Sequence, residues 1–182
     1  MSKMKELKKI IVNKPLKLDC GETINNYPIA YETYGKLNEK KDNAILAFHA
    51  LTGDQFLTGI NPVTNKKGWW TYLIGPSKPI DTNKFFVICA NVIGGCMGSF
   101  GPSTVDEKSK KPLGTNFPVI TINDMVNAQY NLLDHFKIKK LFCVIGGSMG
   151  GMQVLQFVSN FPNAAKNCLL YTSPSPRDGD ES

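Results

Sequence analysis

The stretch VIGGSMGG, Val144–Gly151, places four glycines around a single serine, Ser148. Glycines two residues before and two residues after a serine remove the side chains that would block a sharp turn from strand to helix. The pattern Gly146-x-Ser148-x-Gly150 therefore predicts a nucleophile elbow, which projects the serine hydroxyl from a strained turn. A tight turn without chemistry is the alternative, since glycine and serine are common turn residues.

The segments on either side of the serine favour the elbow. Residues 141–146 are apolar on consecutive positions, as are residues 43–49 and 84–91. Continuous apolar runs of this length are typical of parallel strands that are covered on both faces. Residues 152–157 begin a helix-like pattern directly after the glycines. The sequence thus predicts an α/β fold with a mostly parallel sheet, in which Ser148 follows one of the strands.

A helix is predicted between the second and third of these strands, over residues 121–136. Thr121 is a suitable N-cap, and Asp124 stands three residues on, where a capping box carries an acid. Strands that alternate with helices predict right-handed crossovers between parallel neighbours. The apolar residues at helical spacing occupy positions 122, 125, 126, 129 or 130, 132, 133 and 136.

The N-terminal region predicts an antiparallel hairpin at the edge of the sheet. Residues 14–20 and 27–35 alternate apolar and polar positions, and a turn-like segment, residues 21–26, joins them. Two further segments, residues 51–80 and 92–118, are long, rich in glycine and proline and mostly irregular. Because they follow the carboxyl ends of predicted parallel strands, where α/β sheets bind ligands, we expect them to lie at the functional site.

Two backbone amides are candidate donors to an oxyanion, the charged oxygen that forms when serine attacks an acyl group. The N–H of Met149 directly follows the nucleophile at the start of the helix. An elbow takes its second donor from an earlier strand-to-helix loop, and residues 49–54 occupy that place. The N–H of Leu51 is our choice for this donor. The imidazole of His49 is predicted to be satisfied by the backbone and to have a structural role.

A nucleophilic serine also needs a base, which is usually a histidine oriented by a carboxylate. In the elbow fold the histidine follows the serine in the chain, but His49 and His135 both precede Ser148. His135 is expected on the surface near the end of the predicted helix. The carboxylates after the serine are Asp178, Asp180 and Glu181, in a polar tail. The sequence therefore contains a nucleophile but no base in the expected place.

Composition favours a reduced cytoplasmic protein that binds neither metal nor nucleic acid. The five cysteines lack Cys-x-x-Cys spacing, so none is expected to hold a metal. The formal net charge is +6, but the lysine pairs are scattered along the chain, which indicates a solvated surface rather than a nucleic-acid site. No run approaches the ~18 apolar residues of a membrane helix. The N-terminus lacks the apolar region and cleavage site of a signal peptide.

Several longer motifs, taken in order, resemble the homoserine O-acetyltransferase family of the α/β-hydrolase superfamily. They are FHALTGD at 48–54, GWW…GPSKPIDTNKFFVICANVIGGCMGSFGPST between 68 and 104, FPVITINDMVNAQYNLLDHF at 117–136 and VIGGSMGGMQVLQF at 144–157. The resemblance runs from about residue 10 to residue 169. It implies acetyl transfer to the hydroxyl of L-homoserine in methionine biosynthesis, with acetyl-CoA as a substrate and no bound cofactor.

By the same resemblance, Ser148 is the residue that becomes acetylated, and Leu51 and Met149 are the oxyanion residues. Trp69–Trp70 and residues 94–98 also match family motifs. On physical grounds we expect the tryptophans to be packing anchors rather than substrate contacts, and the glycines to form a tight loop near the pocket. The family's catalytic Asp and His, and its arginine for the homoserine carboxylate, have no matching position in this chain. Family members are about twice as long, so the chain resembles their N-terminal half. The full-length form is expected to be a homodimer.

The resemblance ends near residue 170, where the sequence turns polar and acquires two prolines. We therefore expect residues 1–170 to form a truncated α/β-hydrolase domain, and residues 171–182 to be a disordered or artefactual tail. Other functions on the same fold are succinyl transfer, a serine acceptor and plain ester hydrolysis. A non-catalytic fragment is the alternative from a different class, because the chain supplies no histidine after Ser148.

Overall fold

The computed structural model describes residues 7–106 and 109–171. The strands are β1 (Lys9–Val12), β2 (Leu16–Lys17), β3 (Thr23–Ile24), β4 (Tyr27–Tyr34), β5 (Ala44–Phe48), β6 (Ile74–Gly75), β7 (Ile80–Asp81), β8 (Phe86–Ala90), β9 (Leu141–Gly147) and β10 (Ala165–Tyr171). The α-helices are α1 (Ile122–Phe136) and α2 (Met149–Asn160), and a short 3-10 helix occupies Gly114–Asn116.

One six-stranded sheet, in the order β1-β4-β8-β5-β9-β10, forms the centre of the fold. β5 runs parallel to both β8 and β9, and β10 runs parallel to β9. β4 is antiparallel to β8, and β1 is antiparallel to β4. The predicted architecture, a mostly parallel sheet with antiparallel pairing at its N-terminal edge, is therefore confirmed.

The predicted N-terminal hairpin is wrong in its pairing. β4 pairs with β1, and not with residues 14–20. Those residues contain β2, which forms a separate two-stranded ladder with β3. The reason is a tight turn, in which Leu18 N–H donates to Glu22 O (2.8 Å) and Gly21 N–H donates to Leu18 O (2.9 Å). Because this turn takes up the backbone groups after two strand residues, the alternating run cannot extend along β4.

The buried strands are covered on both faces, as their apolar runs predict. Every residue of β5 and β8 is buried. On one face, α1 and α2 close the larger apolar cluster, which includes Phe48, Leu132 and Phe157. On the other face, Trp69 and Trp70 from the segment between β5 and β8 pack against a second cluster. Burial of this apolar surface is the main stabilising contribution to the sheet.

Helix α1 is confirmed, together with its predicted capping box. The N–H of Asp124 donates to Thr121 Oγ1 (3.2 Å), and the N–H of Thr121 donates to Asp124 Oδ2 (2.9 Å). The buried stripe is less apolar than the spacing predicts, since Asp124 and Gln129 are buried in it. Asp124 is satisfied there because Asp19 N–H donates to its Oδ1 (3.0 Å).

The C-terminal strand, β10, runs to Tyr171, one residue past the predicted domain boundary. The rest of the predicted tail, residues 172–182, lies outside the described residues. Within the described ranges, no helix has the length and apolarity needed to cross a membrane.

Candidate active site

The site forms at the carboxyl ends of three parallel strands, β8, β5 and β9, which are neighbours in the sheet. Phe48 of β5 lies opposite Gly146 of β9, and Ala47 lies opposite Cys89 of β8. The loops that follow these strands are therefore neighbours. Ligands of α/β proteins bind at the carboxyl ends of such strands, and the long irregular segments do line the cavities found there.

Ser148 has the strained backbone that an elbow requires. Its φ is 56° and its ψ is −127°, a conformation that costs a side-chain-bearing residue about 1–3 kcal/mol. It occupies the N-cap position of α2, where a serine hydroxyl normally accepts a hydrogen bond from the first helical turn. Here the side chain makes no such bond, and the residue is exposed. The helix therefore does not use the hydroxyl.

The two glycines of the pattern are required by close backbone contacts. A Cβ atom on Gly146 would lie 2.3 Å from Gly150 O, and one on Gly150 would lie 2.2 Å from Phe48 O. Both distances are far inside van der Waals contact with a backbone atom that cannot move away. The glycines let the elbow fold back on itself and let α2 start directly against the end of β5.

The predicted oxyanion residues come together in the structure. Leu51 and Met149 line one cavity of about 410 Å³, on one side of the elbow. Met149 is the first residue of α2, where helices leave their N–H groups without an intrahelical partner. Ser148 lines a neighbouring cavity of about 460 Å³ together with Ala50, the residue before Leu51. The donor roles of Leu51 and Met149 remain a prediction that this arrangement permits.

The structural role predicted for His49 is confirmed. Its Nδ1 donates to Ala50 O (2.7 Å), and its Nε2 accepts from Val92 N–H (3.1 Å). Burial lowers the pKa of the imidazole below 6.5, although the Ala50 carbonyl and the charge of Asp54 act in the opposite direction. A neutral ring with both nitrogens engaged cannot act as the base for Ser148. It fixes the loop that follows β5 instead.

The second histidine is likewise not placed to act on the serine. His135 is exposed in the last turn of α1, and its Nε2 lies 3.4 Å from Tyr31 Oη. This placement confirms the surface position predicted for it. In the described part of the chain, neither histidine is therefore placed to activate Ser148.

The tryptophan pair both packs and faces the serine. Trp69 Nε1 donates to Asp54 O (2.9 Å), and the two indole rings lie 4.5 Å apart between centroids. They cover the apolar cluster on one face of the sheet, so the predicted anchoring role is confirmed. They also line the cavity that contains Ser148, together with Leu73. An acyl group at the serine would therefore contact aromatic and aliphatic surface.

A buried glutamine pair supports the site and was not anticipated. Gln153 Nε2 donates to His49 O (3.2 Å), and Gln129 Nε2 donates to Gln153 Oε1 (2.7 Å). The pair connects α1, α2 and the loop after β5. A polar residue on the otherwise apolar side of a helix is the only sequence signal for it, and the helical spacing treats position 129 as apolar.

Cys96 is exposed and lines two of the cavities at the site, but the described residues hold no recognisable metal centre. All five cysteines are free, and burial raises the pKa of the Cys143 thiol to about 11. Cys89 is also buried, and its burial raises the pKa of its thiol. Across residues 7–106 and 109–171, no three His, Cys, Asp or Glu side chains are grouped as a metal site.

A mostly parallel sheet, a strained serine between two obligatory glycines and a helix that begins at the next residue define the class of α/β proteins built around a nucleophile elbow. A comparison with family models agrees with this class. The model described as alpha/beta hydrolase fold matches residues 43–180, and the chain belongs to that family.

Curated relatives share one name. The chain is 72% identical over 160 residues to a homoserine O-acetyltransferase from Pelagibacter ubique, a match that covers 88% of this chain and 43% of the relative. It is 59% identical over 157 residues to a homoserine O-acetyltransferase from Mesorhizobium japonicum, covering 86% of this chain and 40% of that one. The chain thus spans about two-fifths of the length of these relatives.

Two solved structures with this fold carry different names. The chain superposes on esterase E22 with a TM-score of 0.82 and 33% sequence identity, covering 91% of this chain and 46% of the other. It superposes on a homoserine O-acetyltransferase from Bacillus anthracis with a TM-score of 0.81 and 32% identity, covering 93% and 47%. The described fold therefore occurs both in a protein named as a transferase and in one named as an esterase.

Proposed function

We propose that this chain supplies the nucleophile of a homoserine O-acetyltransferase. The observation that carries the proposal is the conformation of Ser148, whose backbone is strained and whose hydroxyl is not used to cap α2. Strain of this kind persists where function needs it. The shared name of the relatives supports acetyl transfer to homoserine as the reaction.

The proposed reaction proceeds in two steps. Ser148 Oγ attacks the carbonyl carbon of the acetyl thioester, the C–S bond breaks, and the thiol of coenzyme A leaves with the proton that the serine gave up. The hydroxyl of L-homoserine then attacks the acetyl-serine, which forms O-acetylhomoserine and restores the Ser148 hydroxyl. The amides of Met149 and Leu51 would stabilise the negative oxygen in both steps. Neither His49 nor His135 is placed to serve as the catalytic base for Ser148.

The acyl donor, the acceptor and the setting belong to the same proposal. Acetyl-CoA is a substrate, no cofactor is held, and both substrates are small molecules. The enzyme works in the cytoplasm, and its full-length form is a homodimer. The partial domain is residues 1–170, followed by a polar tail.

Thiol release from acetyl-CoA in the presence of L-homoserine tests the proposal. A chimaera that continues this chain with the remaining part of the Pelagibacter ubique relative should turn over, because the resemblance implies that the family's catalytic Asp and His lie in that part. Ser148→Ala in the chimaera should abolish turnover. The 182-residue chain should release little or no thiol. Robust turnover by the 182-residue chain, or an active Ser148→Ala chimaera, would refute the assignment.

Ester hydrolysis is the second candidate, favoured by the superposition on esterase E22. An esterase transfers the acyl group from serine to water instead of homoserine. The same chimaera separates the two functions. Thiol release that is independent of homoserine, together with rapid hydrolysis of a simple acetyl ester, identifies an esterase. Thiol release that requires homoserine identifies the transferase.

A further inference from the structure

We propose that Lys66 and Lys67 bind the phosphate groups of the acyl donor, while the arm that carries the thioester extends past Trp69 to Ser148. The inference rests on the proposed function for its ligand class, an acyl thioester of a polyphosphorylated nucleotide.

Two neighbouring cavities, taken together as one groove, would hold this ligand. One, of about 420 Å³, is lined by Lys66, Lys67 and Trp69 among others. The other, of about 460 Å³, contains Ser148, and the two cavities share Ala50 and Trp69. One end of the groove carries the two lysines and other polar side chains beside apolar ones, and the other end is apolar around the serine. A donor with phosphates at one end and a thioester at the other has the same distribution of polarity.

Lys66 and Lys67 lie in a loop whose backbone is held by hydrogen bonds. Asn61 N–H donates to Lys66 O (2.8 Å), Gly68 N–H donates to Gly59 O (2.8 Å), and Ile60 pairs with Lys67 in an antiparallel bridge. The bonds hold both lysine backbones beside Trp69. Because the loop is already ordered, a ligand loses less affinity to the ordering of the backbone.

The two ammonium groups share their cavity with one carboxylate, that of Asp54. Among the residues that the structure describes, neither Lys66 nor Lys67 forms an ion pair. Asp54 lines the same cavity, but its two oxygens accept hydrogen bonds from Phe56 N–H (2.8 Å) and from Asn61 Nδ2 (2.7 Å). The cavity therefore holds two lysine cations against one carboxylate, a formal net charge of +1 from these three groups, and lysine ammonium groups are common phosphate ligands.

Tryptophan fluorescence gives a direct test that needs no catalysis. The sequence contains two tryptophans, Trp69 and Trp70, and both line the groove. Titration of the 182-residue chain with coenzyme A should change this fluorescence in a saturable way. The double variant K66A/K67A should weaken the affinity by about tenfold or more, the size expected for losing charged hydrogen bonds to phosphate. Added salt should weaken binding to the parent chain more than binding to the variant.

Two controls separate the site from general attraction of an anion to a basic protein. K139A/K140A removes an equal charge just before the amino end of β9, at the end of the sheet opposite to the site. This variant should leave the affinity for coenzyme A unchanged. Pantetheine, which lacks the phosphates, should bind the parent and K66A/K67A equally. All of these lysines are exposed, so circular dichroism should be the same for every variant.

Four results would overturn the inference. They are no binding of coenzyme A by the parent chain, an unchanged affinity in K66A/K67A, an equal loss in K139A/K140A, and a loss of L-homoserine binding in place of coenzyme A binding. Failure here is distinguishable from failure of the proposed function. If the chimaera turns over through Ser148 and K66A/K67A leaves its affinity for coenzyme A unchanged, only this site is refuted. Lysine-dependent binding of coenzyme A without any turnover refutes only the function.

Discussion

At Ser148, backbone strain and an unused hydroxyl occur in the same residue. A serine at an N-cap normally stabilises its helix, and a residue with positive φ normally lacks a side chain. Ser148 does not cap α2 with its side chain, and it carries a side chain at a positive φ. Gly146 and Gly150 must be glycines, because a Cβ atom there would lie 2.3 and 2.2 Å from a backbone oxygen. The local structure therefore gives up stability to hold this hydroxyl at the surface of the cavity.

Replacing the serine by glycine should stabilise the chain. Ser148→Gly removes the Cβ that is strained at a φ of 56°, whereas Ser148→Ala keeps it. We expect the glycine variant to exceed the alanine variant by about 1 kcal/mol in the free energy of unfolding. Urea unfolding with a common slope measures the difference. Equal stability of the two variants, or a less stable glycine variant, would mean that the elbow is not strained.

His49 should give the chain a measurable dependence of stability on pH. Burial lowers its pKa in the folded state below 6.5, so between those two values the unfolded chain binds more protons. Its contribution to the free energy of unfolding is complete above 6.5, and is lost as the pH falls from there towards the lower folded-state pKa. Urea unfolding over this range should show a shallower pH dependence in His49→Asn.

His135→Asn is the matched control for this measurement, since His135 is exposed in the last turn of α1. This variant should keep the pH dependence of the parent chain. If His49→Asn leaves the slope unchanged, or if the parent gains stability on acidification, the buried neutral imidazole is not the source.

At the scale of elements, local patterns were predictable and distant pairings were not. β5, β8, β9 and the elbow follow from continuous apolar runs and glycine spacing, which the nearby sequence contains. The partner of β4 is a different matter, because a turn at Leu18–Glu22 diverts the adjacent segment and leaves β1 to pair. The partners of His49 and Gln153 come from other segments of the chain, so no short pattern indicates them.

The glutamine pair should behave as one unit. Gln153→Leu leaves His49 O and the Gln129 amide without their partners, and should lower the free energy of unfolding by about 1–3 kcal/mol. Gln129→Leu should also destabilise, because it removes the partner of Gln153 Oε1. The double variant should cost less than the sum of the two single variants, since it leaves fewer polar atoms unpaired.

Urea unfolding of the four chains in this double-mutant cycle measures the coupling between Gln129 and Gln153. Gln156→Leu, at a half-buried position of α2, provides a comparison on the same helix and should cost less than Gln153→Leu. Strict additivity of the two single variants would show that the 2.7 Å contact contributes no coupling to stability.

At the scale of the whole molecule, the sheet has one conspicuous edge. β10 is the last strand in the sheet order and pairs with β9 alone among the described strands. Its Leu169 and Leu170 are 54% and 39% exposed. An edge strand with apolar side chains offers unpaired backbone groups and apolar surface to another chain.

The 182-residue chain should therefore self-associate through this edge. Sedimentation velocity over a concentration series should show growing assemblies, accompanied by binding of a dye that reports apolar surface. Leu169→Lys should reduce both signals, because it places a charge on the edge. Val119→Lys, at an exposed apolar position outside the sheet, should not reduce them. A parent chain that stays monomeric and binds no dye would show that the edge is not available for association.

The assignment of Ser148 as nucleophile can be read from the acyl-enzyme itself. Mass spectrometry of the chimaera after brief exposure to acetyl-CoA, without homoserine, locates any covalent acetyl group. We expect a single acetyl group on the peptide that contains Ser148, lost on addition of L-homoserine and absent from Ser148→Ala. An acetyl group on a different residue, or turnover that persists in Ser148→Ala with no acyl-enzyme, would contradict it.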